Sequence, residues 1–253
     1  MLDRLTGRWT GITLSLLTVI GTLWLAGTGN LDLYVHPRYS AFTVGMGIIG
    51  GLTSLATLLL LPRSEGDEHD HAVDDIPVPA HRRAITAIGR VLVVSVAAVV
   101  LLAFPPTTLT AALASNRELN SAAATNTSAT SVELAGSDGS AFSVKDWAGL
   151  LRQGLPVDYF SGMTADVTGF VLDTGEDDLF YLTRFHITHC ALDAQPVGIP
   201  VSWPGWKQEL QADGWLSLTG AFRSNPSASA DAPVVLEPTT SEAVDQPDDP
   251  YVY

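Results

Sequence analysis

The stretch "AITAIGRVLVVSVAAVVLLAF", Ala84 to Phe104, carries a single charge, Arg90, and no alternation of polar with apolar residues. A run of roughly 20 apolar residues is what a helix needs to cross a hydrocarbon core, so this stretch is expected to span a membrane. Arg90 lies near its start, where a long side chain snorkels back to the interface, and reads as an anchor. Outward from this stretch the chain divides: nearly all long apolar runs precede it, and the soluble part follows it.

Two further runs precede it. "WTGITLSLLTVIGTLWLAGTGN", Trp9 to Asn30, follows Arg4 and Arg8. A basic start with an apolar run also describes a signal peptide, but "LAGTGN" is a poor small-x-small cleavage site, so an uncleaved anchor is expected. "SAFTVGMGIIGGLTSLATLLLL", Ser40 to Leu61, places Gly45, Gly47, Gly50 and Gly51 on what is expected to be a small-residue face for helix contact. The expected fold class is thus a membrane α-helical part with three spans (9–30, 40–61 and 84–104, within 1–110), a flexible tether over 111–140, and a small all-β domain over 141–253.

Direction follows from arginine. Arg4 and Arg8 precede the first span and Arg63, Arg82 and Arg83 lie between the second and third, whereas Arg38 alone lies between the first and second. By the positive-inside rule the N-terminus and the loop 62–83 face the cytoplasm, and the C-terminal domain lies outside the plasma membrane of a multi-pass protein. The chain's net charge is −14, and after position 115 six basic residues face 19 acidic ones. That balance excludes nucleic acid as a partner of the tail and leaves the bilayer to the helices.

The loop "PRSEGDEHDHAVDDIPVPAHRR" sets His69 and His71 beside Glu68 and Asp70. Imidazole with carboxylate suits zinc or another divalent transition metal, although a solvated acidic loop has the same composition. From Ala141 onward, "SVKDWAGLLRQ" predicts a short helix capped by Ser143, with Trp147, Leu150 and Leu151 on one face. The segments "MTADVTGFVLD", "LFYLTRFHITHC", "VGIPVSW", "GWLSLTGAF" and "PVVLEPTTSEAV" predict strands, with one helical turn over Trp206 to Leu210. Five strands of this kind suggest an OB-like barrel, a fold that does not by itself name a ligand.

The segment "RFHITHCALDA", Arg184 to Ala194, contains the only cysteine, Cys190. Alternation on a strand would turn Phe185 and Ile187 to the barrel interior and Arg184, His186 and Cys190 to a polar face. His186, His189, Cys190 and Asp193, with Arg184 nearby, are then candidates for a metal or polar ligand. A packed cysteine with histidines bonded to backbone fits the same residues. A nucleophilic role would need a base with an orienting partner, which the sequence does not signal, and no phosphate loop, dinucleotide motif or H-E-x-x-H pair occurs, so no enzyme is expected.

The order "LYVHPRY", His/Asp loop, "YFSGMTADVTGFV", "FYLTRFHITHCALDAQPVGIPV", "GWLSLTGAF" and terminal "PYVY" resembles, over essentially the whole chain, a family of uncharacterised bacterial membrane proteins regarded as the partner subunit of a two-gene permease. The match includes Cys190, Asp193, Ala194, Pro196, Gly198 and Pro200. Family members often carry two adjacent cysteines, and the first of the pair is His189 here, which removes a vicinal dithiol and keeps a capacity for metal or soft-ligand binding. The resemblance implies an accessory subunit beside a multi-span permease and no particular substrate; a metal ion or metal-linked solute is the cargo expected from the candidate ligands above. The rival reading is an envelope-surface binding or sensing protein that acts without a permease.

Overall fold

The computed structural model describes residues 2–60, 80–104, 106–125, 139–226 and 232–253. They form two units: a helical one, Met1–Asp32 with Pro37–Pro106, and a β-rich one, Leu33–His36 with Thr107–Tyr253.

In the helical unit, α1 spans Leu2–Gly27, α2 Pro37–Leu60 and α3 Ala80–Ala103. Pro37 opens α2 at the position where a missing N–H costs no helix bond. α1 stops at Gly29, whose positive φ of 75° turns the chain, while the Asn30 amide returns to Leu25 O at 2.9 Å. Hydroxyls inside the apolar runs are satisfied by their own helix: Thr18 donates to Leu14 O at 2.9 Å and Thr57 to Thr53 O at 2.8 Å. Ser15 of α1 and Ser54 of α2 share a hydrogen bond of 3.0 Å, and α1 also packs on α3. Of the four glycines expected to make a contact face, only Gly51 meets another helix; a Cβ there would lie 3.2 Å from Val19 Cγ1, whereas Gly45, Gly47 and Gly50 face open space. Among the described residues two helices are long and apolar enough to cross a membrane, over Trp9–Gly27 and Pro37–Leu60; in α3 the apolar stretch is the shorter Ile88–Leu101.

The β-rich unit is a closed five-stranded barrel. Its strands are β1 Thr164–Leu172, β2 Leu179–His186, β3 Gln195–Ser202, β4 Trp215–Ser224 and β5 Val234–Ala243, and a short β6 Tyr251–Val252 lies beside them. The order around the barrel is β1-β4-β5-β3-β2, closed by pairing of β1 with β2. Every pairing in the barrel is antiparallel except β3 with β5, which meet at Val201 and Leu236. Phe180 and Leu182 of β2, Ile199 and Val201 of β3 and Leu218 of β4 fill the interior at 0% exposure.

Among the described residues, three short α-helices attach to the barrel: α4 Ala111–Ala114, α5 Ala122–Thr125 and α6 Val144–Arg152. In α6 the expected cap is present as a reciprocal box: the Asp146 amide donates to Ser143 Oγ at 3.3 Å, and the Ser143 amide donates to Asp146 Oδ2 at 2.9 Å. Such a cap contributes about 1 kcal/mol. It fixes the helix start so that Trp147 and Leu150 bury completely against the barrel core, with Leu151 partly buried beside them.

Residues 107–125, of which composition assigns 111–125 to a tether running to 140, belong to the barrel unit, and 126–138 of that tether lie outside the described residues. Their alanines are small enough to lie flat on it: Ala111 and Ala114 join Phe170, Leu172, Phe185, Ile187 and Tyr251 in a second apolar cluster. This cluster corrects the expected facing of β2. Phe180 and Leu182 point inward, so Phe185 has the opposite parity and lies on the barrel's outer surface, where α4 and β6 cover it. Both faces of β2 are buried, so polarity does not mark its inside.

Candidate functional site

Strand β2 ends at His186, and the next residues turn back on themselves around one carboxylate. Asp193 Oδ1 accepts from the Thr188 amide at 3.1 Å, and Oδ2 accepts from the His189 amide at 2.9 Å and the Cys190 amide at 3.3 Å. The same Oδ2 lies 3.0 Å from His189 Nδ1. Burial pushes the Asp193 carboxyl up, but the hydrogen bonds from Thr188, His189 and Cys190 outweigh it and hold the group below its usual range. Asp193 is thus the organiser of the turn. At the turn's tip Leu192 is 87% exposed; every other large hydrophobic that stands exposed among the described residues lies in the 9–104 region.

The other candidates go to different partners. His186 is buried, and its Nδ1 donates to Val252 O at 3.1 Å. Burial pushes its imidazole below the ordinary range, against the opposing effect of that hydrogen bond, so the neutral ring is the stable form. The Arg184 guanidinium donates through Nε to Pro250 O at 3.2 Å and also to Asp249 O, and lies 5.6 Å from the Trp215 ring centroid. Burial lowers its pKa, and Asp249 and Tyr253 oppose that shift. Arg184 and His186 therefore clamp the C-terminal segment onto β2 and do not stand on a polar ligand face. Cys190 is a half-buried free thiol.

The structure brings together His189 and Asp193, with Cys190 joined through its backbone. Among the described residues no group of three or more His, Cys, Asp or Glu is placed to hold a metal ion. The physical reason is visible in the turn: the Asp193 oxygens are occupied by amides, and His186 faces a carbonyl. His69, His71, Glu68 and Asp70 lie outside the described residues. The His189–Asp193 pair supplies an oriented imidazole that sequence alone does not signal, but its ring is 66% exposed and serves the turn.

Sequence reasoning missed the segment beside Cys190. Leu33–His36, between α1 and α2, adds to the barrel unit through an isolated antiparallel bridge: Val35 bridges Cys190, the His36 amide donates to His189 O at 3.0 Å, and the Ala191 amide donates to Tyr34 O at 2.9 Å. Tyr34 Oη accepts from the Thr107 amide at 3.3 Å, and His36 packs its ring on Tyr253 with centroids 4.6 Å apart. Four residues around a single bridge carry no pattern long enough to be read without the partner segment.

A second location lies on the outer surface of β2 and β3. A groove of about 450 Å³ is bounded by Tyr181 and Pro200, by Arg152 at the end of α6 and Leu155 after it, and by Pro233 and Val234 at the start of β5. Asn120 closes one edge in the manner of a strand: its Nδ2 donates to Gly198 O and its Oδ1 accepts from the Gly198 amide, each at 2.8 Å. A Cβ at Gly198 would sit 2.6 Å from Thr183 Oγ1, so only glycine permits this close packing.

Residues 11–120 match the DUF1980 N-terminal domain and residues 147–253 match the DUF1980 C-terminal domain. Comparison with curated proteins and with solved structures returns no match. The two matched domains correspond to the helices with the first part of the barrel unit, and to the barrel from α6 onward. With both of its domains present in order along most of the sequence, the chain belongs to the uncharacterised DUF1980 family.

Proposed function

We propose that this chain is a three-span accessory subunit of a plasma-membrane permease, with its N-terminus cytoplasmic and its barrel presented outside to a multi-span partner. One observation carries the reading: the segment between α1 and α2 is part of the barrel unit. A chain that leaves the barrel at His36 and rejoins it at Thr107 must cross the bilayer an even number of times in between. If α2 crosses once, α3 crosses once more. α3 has 24 residues, and at 1.5 Å per residue that length suffices. The arginine distribution then puts the barrel outside.

In this reading the barrel is OB-like, since five strands close in the order 1-2-3-5-4 with a parallel β3/β5 seam. Folds of this kind bind on the strand 2–3 face beside the 4–5 loop, which is where the Tyr181–Pro200 groove lies. Leu192 offers an apolar docking point at the tip of the Asp193 turn. No bond-making step is assigned to Cys190. The weak metal binding that composition suggests falls to the His69/His71 loop, and the solute we assign, a metal ion or metal-linked species, rests on those imidazole and carboxylate residues.

The pairing around Val35 and Cys190 gives a direct test. The flanking bonds, His36 to His189 and Ala191 to Tyr34, make the two residues a non-hydrogen-bonded antiparallel pair, in which side chains approach most closely. Val35→Cys should therefore form an internal disulfide with Cys190 on mild oxidation. In a separate Leu192→Cys chain, a membrane-impermeant maleimide should label intact spheroplasts. Two free thiols after oxidation would remove the even-crossing argument, and labelling only after lysis would reverse the topology. Copurification of a polytopic partner from native membranes supports the permease role; recovery of the chain alone supports the free-standing binding protein.

A further inference from the structure

We propose that the barrel carries a site for a neutral oligosaccharide where β3 and β5 part, with Trp203 as the platform for one sugar ring and the Arg223–Glu237 pair as the reader of its hydroxyls. The site is separate from the Tyr181–Pro200 groove and does not depend on the membrane-spanning reading.

β3 and β5 pair only at Val201 and Leu236. β3 then ends at Ser202 and the chain turns off through Trp203 and Pro204, while β5 runs on beside β4 to Ala243. A groove of about 400 Å³ occupies the gap, a volume usual for small-ligand sites. Trp203 and Pro204 line it after β3, Arg223 from β4, and Glu237, Thr240 and Ser241 from β5. Trp203 is fixed at both ends, since its amide donates to Asp178 O at 2.9 Å and its carbonyl accepts from the Trp206 amide at 3.2 Å. Its ring packs on the core, 6.4 Å from Phe180 between centroids, and yet stays half-exposed. An indole held in this way offers a large rigid contact surface with little conformational entropy left to lose.

The polar lining supplies donors and acceptors side by side. Arg223 Nη1 lies 2.6 Å from Glu237 Oε2, and both side chains are close to half exposed. That contact uses one nitrogen and one oxygen and leaves further N–H donors on the guanidinium and a second carboxylate oxygen. Neighbouring hydroxyls of a sugar each donate and accept, so a donor beside an acceptor matches them, and the Thr240 and Ser241 hydroxyls add the same dual capacity.

The same features disfavour the other macromolecular ligands. The ion pair brings no net charge to the groove, and a chain of net charge −14 repels a polyanion. An extended peptide would add to the β5 edge, but Pro238 and the register shift between Thr219 and Gly220 blunt that edge, as prolines and bulges do. A sugar needs neither a counter-charge nor a regular edge: its C–H face lies on the aromatic ring and its hydroxyls reach the polar groups. A β-linked glucose chain, whose ring substituents are all equatorial, presents the flattest such face.

The test titrates cellohexaose into the full chain in a detergent without a sugar headgroup, read by calorimetry and by saturation-transfer nuclear magnetic resonance. The native chain should bind saturably at up to millimolar sugar, with saturation strongest on ring C–H protons. Arg223→Gln and Glu237→Gln should each weaken binding about tenfold, the usual effect of losing a hydrogen bond to a charged group. Trp203→Leu should weaken it about tenfold or more, as loss of a stacking ring does. Trp203 also packs on the core, so near-ultraviolet circular dichroism checks its fold, and the two surface variants carry the test if it fails. Glu209→Gln, outside the groove, should change nothing. Absence of binding by the native chain, or binding that both surface variants retain at full strength, overturns the proposal. So does tighter binding of an oligoglucuronate of the same length, which would identify an anion site, or displacement of cellohexaose by an alternating threonine–valine hexapeptide, which would identify a strand-docking edge.

Discussion

In the helical unit, Thr13, Thr18, Thr22 and Thr57 each donate a hydroxyl to a carbonyl one turn earlier in the same helix. In the barrel unit the polar side chains reach far along the sequence: Arg184 to Asp249 and Pro250, Asn120 to Gly198, Asp213 to the Ala111 amide at 2.7 Å. The first pattern makes α1 and α2 self-sufficient in their threonines, as a bilayer would require, because an unsatisfied polar group there would have no water to turn to. The second makes the barrel depend on a few clamps that hold α4, the C-terminal segment and β2 together. Damage to a clamp should therefore spread through the barrel, whereas damage between helices should stay local.

The sharpest way to break this comparison is at the clamped cluster itself. Phe185 is 1% exposed, stacked near Phe170 at 5.6 Å between centroids, and covered by α4 and β6. Phe185→Ala should destabilise the barrel by about 3–5 kcal/mol, the usual cost of emptying an aromatic core site. Urea unfolding of the full chain in mild detergent, followed by near-ultraviolet circular dichroism, measures it. A loss below about 1 kcal/mol would mean that the outer cluster is decoration on an independently stable barrel. Arg184→Met comes next. It keeps the stem that lies near Trp215 but removes the donors to two carbonyls, so a loss of about 1.5–3 kcal/mol is expected. The same variant should expose the C-terminal segment to carboxypeptidase; unchanged resistance would assign the hold on that segment to β6 alone.

These two residues also show what the sequence made legible. Length and apolarity located the long helices, and the Ser143 cap with Trp147, Leu150 and Leu151 on one face located α6, because both signals act locally. The strands were legible as segments, but the facing of β2 was not. Alternation marks inside from outside only when one face meets water, and β2 is covered on both sides, so Arg184 and His186 looked like a polar face when they are clamps. The Leu33–His36 segment meets residues more than 150 positions away through a single bridge, and no local pattern carries such a partner. Alanine-rich 111–125 read as a tether because its contribution is close packing of small side chains, which composition scores as featureless.

A smaller effect separates two acidic transitions in the barrel. His186 has its pKa depressed in the fold, so the unfolded chain binds the proton more readily and stability falls as pH drops through about 6.5, the unfolded imidazole value. Asp193 is also depressed; its contribution is complete above about 4, the unfolded carboxyl value, and is lost as pH falls further through its folded value. Stability against pH should thus decline in two limbs. His186→Gln should remove the upper limb and leave the lower, and Asp193→Asn should do the reverse. A single limb that disappears in both variants would show that the turn and the C-terminal clamp titrate as one unit.

The smallest expected effect tests the helical half of the comparison. Ser15 and Ser54 share the hydrogen bond between α1 and α2. In a membrane each hydroxyl has a ready alternative, a carbonyl of its own helix, as the neighbouring threonines already demonstrate. Removing the bond therefore exchanges one satisfied arrangement for another. Ser15→Ala should weaken the α1–α2 contact by about 0.6 kcal/mol, the average for such bonds between membrane helices. It should leave the barrel's urea midpoint unchanged, because the barrel's clamps do not pass through this pair. A double-mutant cycle of Ser15→Ala with Ser54→Ala, read by the detergent stability of the helical unit, isolates the shared bond from the packing of Gly51 on Val19. A coupling above about 2 kcal/mol would exceed what alternative acceptors allow. It would mean that the helices, like the barrel, are held by a specific clamp, and the contrast between the two units would dissolve.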